Sequence, residues 1–265
     1  MNNKEYLEFA KEIAYEAGKI MLKYFNAKDI SSYKGDKTIV TLADKEINTY
    51  LINRVKERFP EHSVDGEEEQ FGKSDYVWVC DPVDGTAMYA RHIPVAVFSL
   101  ALVVDGKSQV GVVYDVFTDT LYWAIKGEGA YKNGEKMSVN DYELDNMRSV
   151  SNFDMWPEAE YNLYDTLKEL GKKTYFVGLG SVIRAGMCVA SGEFNLAIFP
   201  GTKRKNCDIA AIKVIVEEAG GKITNLFGEE QRYDEDISGA IISNGIVHEE
   251  VINTIKQLLN LNKPS

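Results

Sequence analysis

The segment from Asp81 to Thr86 carries two carboxylates three residues apart and ends in a Gly-Thr pair. It follows directly on an apolar run, 76–80, whose length and composition predict a buried strand. Because Pro82 fixes its own φ and has no backbone N–H, we expect the chain to turn sharply where this strand ends. Such a turn would aim both carboxylates and the Val83 carbonyl at one point, and hard oxygen ligands at one point are what Mg²⁺ requires.

Gly85 and Thr86 predict the start of a short helix after this turn. The first backbone N–H groups of a helix have no partner within it, and they therefore suit phosphate oxygens. Metal ligands and an anion-binding turn on one segment indicate phosphoryl chemistry. The alternative interpretation is two ordinary loop aspartates, Asp81 and Asp84, one of which caps the helix.

Three further segments carry acidic side chains that this chemistry could use. Glu67 and Glu68 belong to a run of three glutamates shortly before the apolar strand. They could fold back and complete a metal shell, although such a run is usually a solvated acidic loop. Asp208 and Asp44 each lie in the first turn of a predicted helix, where the helix dipole favours an Asp in any case. If Asp44 meets the Thr86 hydroxyl in space, the pair could relay a proton from a water molecule.

Taken in chain order, these segments resemble the motifs of the inositol monophosphatase family of Mg²⁺-dependent, lithium-sensitive phosphatases. The signature of that family is similar to residues 81–86, and four more of its elements follow the same order. Residues 41–44 resemble its V-T-x-x-D, 66–68 its G-E-E, 207–211 its W-D-x-A-A and 218–221 its E-A-G-G.

The resemblance spans about residues 5–260 and implies an α/β fold, a layered α-β-α-β-α sandwich of the inositol monophosphatase and fructose-1,6-bisphosphatase type. It divides the chain into an α+β half, residues 1–145, and an α/β half, residues 146–265. We expect the halves to be tightly packed, with the active site between them.

The resemblance also implies a metal centre of two or three Mg²⁺ ions, for which Mn²⁺ can substitute and at which Li⁺ inhibits. Glu67, Asp81 and the Val83 carbonyl would hold one ion, and Asp81, Asp84 and Asp208 a second. A third, weaker ion would use Glu67 with water molecules.

Thr86 and Asp44 would position the attacking water and take its proton, while Glu68 would orient ligands or water. The backbone N–H groups of Gly85 and Thr86 would hold the phosphate. Attack is direct and in line in this family, without a phospho-enzyme, and homodimers are common.

The chain departs from the family pattern in three places. Cys207 stands where the family usually has Trp before the last metal ligand, so local packing must differ. Inositol-selective members carry a Glu about seven residues before that ligand, whereas this chain has no acidic residue there. Lys34 and Lys37 both fall in the loop from which a family lysine reaches toward the metals, and spacing does not choose between them.

A basic stretch takes the place of the missing Glu. Lys203, Arg204 and Lys205 either form a solvated loop tip or bind a second anionic group of the substrate. The second interpretation favours a bisphosphate or a nucleotide, and it would place these residues around a pocket lined also by Gly180, Ser181 and Arg184.

These observations predict a phosphomonoesterase acting on a small polyol or sugar phosphate, with inositol monophosphate as the default substrate. The alternatives within the superfamily are a fructose-1,6-bisphosphatase and a 3′(2′),5′-bisphosphate nucleotide phosphatase. The alternative from another class is a metal-dependent regulatory protein that has kept the fold without turnover.

Hydrophobic spacing and turn signals locate the elements that must position these residues. Helices are predicted over 4–26, 41–59, 157–170, 181–191, 207–219 and 248–260. Strands are predicted over 76–81, 95–104, 109–115, 119–125, 174–178, 194–199 and 239–243. Residues 61–75 are predicted to form an acidic loop.

The composition narrows the partners and the compartment. The formal net charge of −11 argues against nonspecific nucleic-acid binding, because counterion release needs a basic face. The same negative charge would repel an anionic substrate, and bound divalent cations would make the local potential at the site positive. Three cysteines without C-x-x-C spacing argue against a disulfide framework or a zinc site and fit a reducing cytosol. No apolar run approaches the ~18 residues of a membrane span, so we expect a cytoplasmic protein.

Overall fold

The computed structural model describes residues 3–27, 31–33, 39–155, 159–201 and 205–261. The helices in this part of the chain are α1 (Asn3–Phe25), α2 (Leu42–Arg58), α3 (Thr86–Tyr89), α4 (Tyr164–Leu170), α5 (Val182–Ala190), α6 (Ala210–Glu218) and α7 (His248–Leu261). A 3-10 turn spans Asn206–Asp208. Among these residues, no helix has the length and apolar character needed to cross a membrane.

The strands of the described residues form two large mixed sheets and one small one. Strands β1 (Ser31–Tyr33) and β2 (Ile39–Thr41) pair antiparallel. The first large sheet contains β3 (Ser63–Gly66), β4 (Gln70–Phe71), β5 (Tyr76–Asp84), β6 (Val97–Val104), β7 (Lys107–Asp115), β8 (Thr120–Ile125), β9 (Gly129–Lys132) and β10 (Glu135–Lys136). The second contains β11 (Val150–Phe153), β12 (Tyr175–Val177), β13 (Leu196–Phe199), β14 (Lys222–Thr224) and β15 (Ala240–Ser243).

The strand order is β10-β9-β8-β7-β6-β5-β3-β4 in the first large sheet and β12-β11-β13-β15-β14 in the second. In the first sheet β3 runs parallel to β5, and the other pairs are antiparallel. In the second, β11 runs parallel to both of its neighbours, and the remaining pairs are antiparallel. Both sheets therefore combine the two pairing modes.

The layers follow from side chains that alternate across each strand. On β5, Trp78 and Cys80 point into the core under α1 and α2. Val77 and Val79, on the other face, join the core that α5 and α6 form between the two large sheets. A third core lies between the second sheet and α4 and α7. The predicted α-β-α-β-α sandwich is thus confirmed, whereas the division at residues 145 and 146 stays a prediction.

The sequence predicted a sharp turn at Pro82, but strand β5 runs through this residue without turning. It continues to Asp84, with a shift of register against β6 between Asp81 and Asp84. The bulge accommodates the proline, which has no N–H to give to the ladder. The side chains of both aspartates are therefore aimed by an irregularity within the strand, and the change of direction comes later, at Gly85 with φ 87°.

Residues 61–75 were wrongly predicted to be a loop throughout. They contain β3 and β4, and β3 pairs parallel to β5 with Gly66 opposite Cys80. The Glu67 N–H then donates to the Cys80 carbonyl over 3.1 Å. This pairing holds Glu67 beside the end of β5, where the aspartates lie.

The predicted helix over 157–170 begins only at Tyr164, and residues 156–158 lie outside the described part of the chain. The Glu160 and Tyr161 N–H groups donate to the carbonyls of Gly201 and Pro200. These backbone groups are thus used by the loop after β13 and not by a helix. Strands β9, β10, β11 and β14 were not predicted either.

Helix α6 packs on the first sheet at very short range. A Cβ added to Gly111 of β7 would lie 2.5 Å from the Ala211 carbonyl oxygen, so only glycine fits there. The Ser108 hydroxyl donates to the Ala210 carbonyl over 2.7 Å. At the other end of the helix, the Glu218 carboxylate accepts the N–H groups of Gly127 and of Gly129, the first residue of β9, over 2.7 and 2.8 Å. The two large sheets therefore share α6 as a common layer.

His248, at the start of α7, is fully buried. Its two ring nitrogens lie 2.8 Å from the Ser243 hydroxyl and 2.9 Å from the Thr224 hydroxyl. Burial, aided by the nearby charge of Lys222, lowers the pKa of His248 to about 4. The imidazole is therefore held neutral in the folded protein.

We expect His248 to make the protein sensitive to acid. Its pKa is about 4 in the fold and about 6.5 in an unfolded chain. Below pH 6.5 the unfolded state therefore takes up a proton that the folded state refuses, and stability falls as the pH falls toward 4. Relative to His248→Gln, the wild type should lose up to about 2 kcal/mol of unfolding free energy between pH 7 and pH 5.

Urea unfolding at a series of pH values measures this difference. His92→Gln, which changes an exposed histidine, is the matched control and should follow the wild type. A difference between wild type and His248→Gln that does not vary with pH would contradict the prediction.

Candidate active site

The first group of acidic side chains lies where β5 meets the 3-10 turn. Ligand atoms of Asp81, Cys207 and Asp208 all lie within 4.8 Å of one another and are buried. The turn is fixed by Asn206, whose amide donates to Asp65 on β3 over 2.8 Å and to the Tyr233 carbonyl over 3.0 Å. Contacts between the first sheet and the turn thus bring together carboxylates that are far apart in the sequence.

The second group contains Asp44, Glu67 and Glu68, whose carboxylate oxygens also lie within 4.8 Å of one another. Asp44 is held by a capping box at the start of α2. One of its oxygens, Oδ2, accepts the N–H and the hydroxyl of Thr41 over 2.8 and 2.6 Å. The other, Oδ1, is buried and has no hydrogen-bond partner among the described residues.

Asn48, one turn after Asp44 on α2, holds the backbone of residues 67–69, the glutamate turn between β3 and β4. Its side-chain amide donates to the Glu69 carbonyl over 3.1 Å, and its oxygen lies 3.4 Å from the Glu68 and Glu69 nitrogens. A Cβ on Gly66 would stand 2.0 Å from that oxygen. A glycine is therefore required for this close approach. The sequence analysis missed Asn48, although a polar residue on the buried face of an amphipathic helix was a usable signal.

Asp84 ties the end of β5 to the second half of the chain. Its Oδ2 accepts the Ser181 hydroxyl and, over 2.8 Å, the Ile183 N–H at the start of α5. Ser181 was predicted to line the substrate pocket, and in the structure its hydroxyl orients this aspartate. The same hydroxyl accepts the Arg184 N–H over 3.1 Å and so caps α5.

Lys205 lies inside the acidic cluster. Its ammonium is 2.8 Å from Glu67 Oε1 and 3.8 Å from Asp208 Oδ1. Burial alone would lower the pKa of this lysine, but the nearby charges of Asp208 and Glu67 outweigh burial and hold it well above its usual value. The sequence predicted that Lys205 binds substrate. In the structure it instead contacts two predicted metal ligands, Glu67 and Asp208.

Burial, together with the charge of neighbouring carboxylates, disfavours the ionisation of the acidic side chains. Burial, followed by the neighbouring charge of Glu67, holds the pKa of Asp81 well above its usual range. Burial and the charge of Asp208 raise the pKa of Asp84 to about 7, against the two hydrogen bonds it accepts. Burial also raises the pKa of Asp208, although Lys205 opposes this. Among the described residues, these carboxylates outnumber the one ammonium that pairs with them, that of Lys205.

Burial raises the pKa of Asp44 to about 7, although its hydrogen bonds from Thr41 act in the opposite direction. A carboxylate with a pKa near neutrality is suited to accept a proton during turnover.

The residues present fit divalent cations. Apart from the Cys207 thiol, their donors are hard carboxylate oxygens that converge from β5, α2, the turn after β3 and the 3-10 turn, and one of these oxygens, Asp44 Oδ1, has no other described partner. Hard oxygens of this kind suit Mg²⁺ or Mn²⁺.

The predicted Gly-Thr pair, Gly85 and Thr86, lies directly after β5. Gly85 has φ 87°, in the left-handed region, and begins α3. The Thr86 hydroxyl donates to the Val83 carbonyl over 2.8 Å. The described partner of this hydroxyl is therefore a predicted metal ligand, while Asp44 receives its hydrogen bonds from Thr41.

Arg184 forms an ion pair with Asp115 at the end of β7. Asp115 is buried and also accepts the Phe117 and Thr118 N–H groups. Gly180, with φ 71°, is held by a 2.9 Å hydrogen bond from its N–H to Asp154. Sequence reasoning placed Arg184 and Gly180 at the pocket but gave no signal for Asp115. Lys34, Lys37, Lys203 and Arg204 lie outside the described residues.

The model of the inositol monophosphatase family matches residues 2–260. The chain belongs to this family. It is a phosphomonoesterase, and the substrates to which the family assignment points are sugar or polyol phosphates.

Relatives of this phosphatase carry several activities in their names. A fructose-1,6-bisphosphatase/inositol-1-monophosphatase of Aquifex aeolicus is 33% identical over 274 residues and 98% of each chain. A histidinol-phosphatase of Chlorobaculum parvum is 30% identical, over 94% of this chain and 96% of that one. An IMPase structure from Thermotoga maritima matches with a TM-score of 0.85 and 28% identity, over 97% of this chain and 99% of that one.

We expect Asp84→Asn to stabilise the phosphatase when metal is removed. The pKa of Asp84 is raised to about 7 in the fold, well above about 3.9 in an unfolded chain. Its charge therefore lowers stability progressively as the pH rises through this range. In EDTA at pH 8 the variant should gain on the order of 1 kcal/mol, and the gain should shrink toward pH 5.

Thermal unfolding with EDTA and with excess Mg²⁺ measures this effect. With Mg²⁺ the order should reverse, because asparagine is a poorer ligand. Asp75→Asn, at an exposed position, is the control and should change neither result. A less stable Asp84→Asn protein in EDTA at pH 8 would contradict the prediction.

Proposed function

We propose that this phosphatase is Mg²⁺-dependent and hydrolyses a small polyol or sugar phosphate, with inositol monophosphate as the default substrate. The observation that carries the proposal is the convergence of five carboxylates, from four separate parts of the chain, into two neighbouring groups near the end of β5; they are Asp44, Glu67, Asp81, Asp84 and Asp208. Such a cluster requires cations, and an anionic ester can bind beside it only when cations are present.

Within this proposal, Glu67, Asp81, Asp84, Asp208 and the Val83 carbonyl hold the ions. When bound, Mg²⁺ supplies Lewis-acid chemistry, acidifying a water molecule and stabilising the leaving oxygen. Ser181 and the Ile183 N–H keep Asp84 in place, because both hydrogen-bond its Oδ2. Asn48 keeps the glutamate turn in place, with Glu68 orienting ligands or water.

Thr86 and Asp44 handle the proton in this proposal. The Thr86 hydroxyl donates to the Val83 carbonyl in the structure. To relay a proton it would turn toward Asp44, giving its own proton to that carboxylate as it takes one from the attacking water. Asp44 Oδ1, which is buried without a described partner, receives the proton. The pKa of about 7 supports this role. The backbone N–H groups of Gly85 and Thr86 hold phosphate oxygens, and no phospho-enzyme forms.

A fructose-1,6-bisphosphatase is the second candidate, because the name of the Aquifex relative includes both activities. The contact of Lys205 with Glu67 removes one of the three bases on which the argument for a second anionic group relied. The inositol phosphate assignment therefore stays first. A homodimer and a cytoplasmic location stay predictions.

A panel of phosphate esters tests the substrate assignment. Inositol 1-phosphate, fructose 1,6-bisphosphate, histidinol phosphate and 3′-phosphoadenosine 5′-phosphate should be compared by phosphate release with Mg²⁺, with Mg²⁺ plus Li⁺, and with EDTA. We expect the highest kcat/KM for inositol 1-phosphate, and no turnover in EDTA. Equal turnover with and without EDTA would contradict the metal-dependent mechanism, and a much higher kcat/KM for another ester would replace the default substrate.

Thr86→Ala should fold normally and reduce kcat by roughly 10²-fold or more, because the water loses its positioning group. KM should change little, since the backbone N–H groups that hold phosphate remain. Steady-state kinetics and thermal unfolding measure the two effects. Thr49→Ala makes the same chemical change at an exposed position on α2 and should leave kcat unaltered. Wild-type kcat in Thr86→Ala would refute the proton path.

A further inference from the structure

We propose that Lys205 is a built-in competitor for the metal, a side-chain cation that binds the acidic cluster and must leave before a divalent ion can bind. This inference rests on the proposed function, since it concerns the same cluster. It assigns to Lys205 a role different from substrate binding, namely control of how tightly the enzyme holds its metal.

The contacts of the ammonium are those that a metal ion would need. Lys205 Nζ lies 2.8 Å from Glu67 Oε1 and 3.8 Å from Asp208 Oδ1. Glu67 contributes to one predicted ion position and Asp208 to the other. An ammonium and a divalent ion bound to the same carboxylate oxygens would lie close together and repel each other. The two cations therefore cannot share these oxygens favourably.

The cluster itself explains why a lysine is favourable there. Burial and mutual repulsion disfavour the charged forms of Asp81 and Asp208, and Lys205 is the cation that opposes both effects. Removing one partner of a buried ion pair leaves an uncompensated charge, which is strongly destabilising. Lys205 therefore stabilises the fold whenever metal is scarce.

Lys205 can leave without disturbing the ligands. Its backbone is fixed by the 3-10 turn, in which the Asp208 N–H donates to the Lys205 carbonyl over 3.3 Å. Its side chain as a whole is 28% exposed, so part of it reaches solvent although the ammonium contacts the acidic cluster. A rotation of the stem would carry the ammonium into water while Asp208 stays in position.

Mn²⁺ binding to the full-length protein tests the proposal without a substrate. After treatment with EDTA and gel filtration, titration followed by electron paramagnetic resonance gives the Kd. Lys205→Met keeps the apolar stem and removes the charge, and we expect its Kd for Mn²⁺ to fall at least about tenfold. The same variant should melt at a lower temperature than the wild type in EDTA.

Two controls accompany this variant. Lys205→Arg keeps the charge and should restore the wild-type melting temperature in EDTA, with a Kd closer to wild type than that of Lys205→Met. Lys222→Met removes a lysine charge that pairs with Glu249 at an exposed site, and it should leave the Kd unchanged.

A measurement on the wild type avoids any folding defect of the variants. Acetylation of Lys205 by acetic anhydride, followed by tandem mass spectrometry, should be slow in EDTA and faster with saturating Mn²⁺, whereas acetylation of Lys222 should not respond. Metal-independent acetylation of Lys205 would overturn the proposal.

The outcomes distinguish a failure of the metal-dependent function from a failure of the competitor role of Lys205. If the wild type binds no Mn²⁺, the metal-dependent function fails and this inference fails with it. If the wild type binds Mn²⁺ and Lys205→Met binds it equally or more weakly, only the competitor role is overturned. If Lys205→Met raises the KM for the phosphate ester and leaves the Kd for Mn²⁺ unchanged, Lys205 binds substrate and does not compete with the metal.

Discussion

The structure depends on one electrostatic constraint, the burial of several carboxylates within reach of one another. Asp81, Asp84 and Asp208 are each at most 8% exposed, and burial, together with the charge of at least one nearby carboxylate, raises the pKa of each. An arrangement of this kind is unstable as a set of free anions. Hydrogen bonds from Ser181 and an ion pair with Lys205 reduce the repulsion but do not remove it. Under the proposed function, the residues around them hold these oxygens in place for cations.

Both large sheets take part in holding them. Asp84 leaves the first sheet and is bound at the start of α5, while Asp208 follows the second sheet and is fixed through Asn206 to Asp65 on β3. The cluster is therefore a product of the interface between the sheets. This explains why its members are spread over most of the sequence and why each motif alone is a weak signal.

The sequence predicted the elements whose hydrophobic period is long and regular, such as α1, α2 and β6, and the family motifs predicted the carboxylates that converge. It failed where a distant partner decides the conformation. Strand β3 exists because β5 offers it a parallel edge, and β5 passes Pro82 because a bulge absorbs the missing donor. The ion pairs of Arg184 with Asp115 and of Lys205 with Glu67 join residues far apart, and no local pattern encodes such pairs.

The close packing of α6 on β7 has a consequence for how this layer responds to a bound ligand. Because Gly111 lets the Ala211 carbonyl approach where no side chain would fit, a motion that separated the helix from the sheet would have to break this contact. We therefore expect α6 and β7 to move as one rigid unit when a ligand binds.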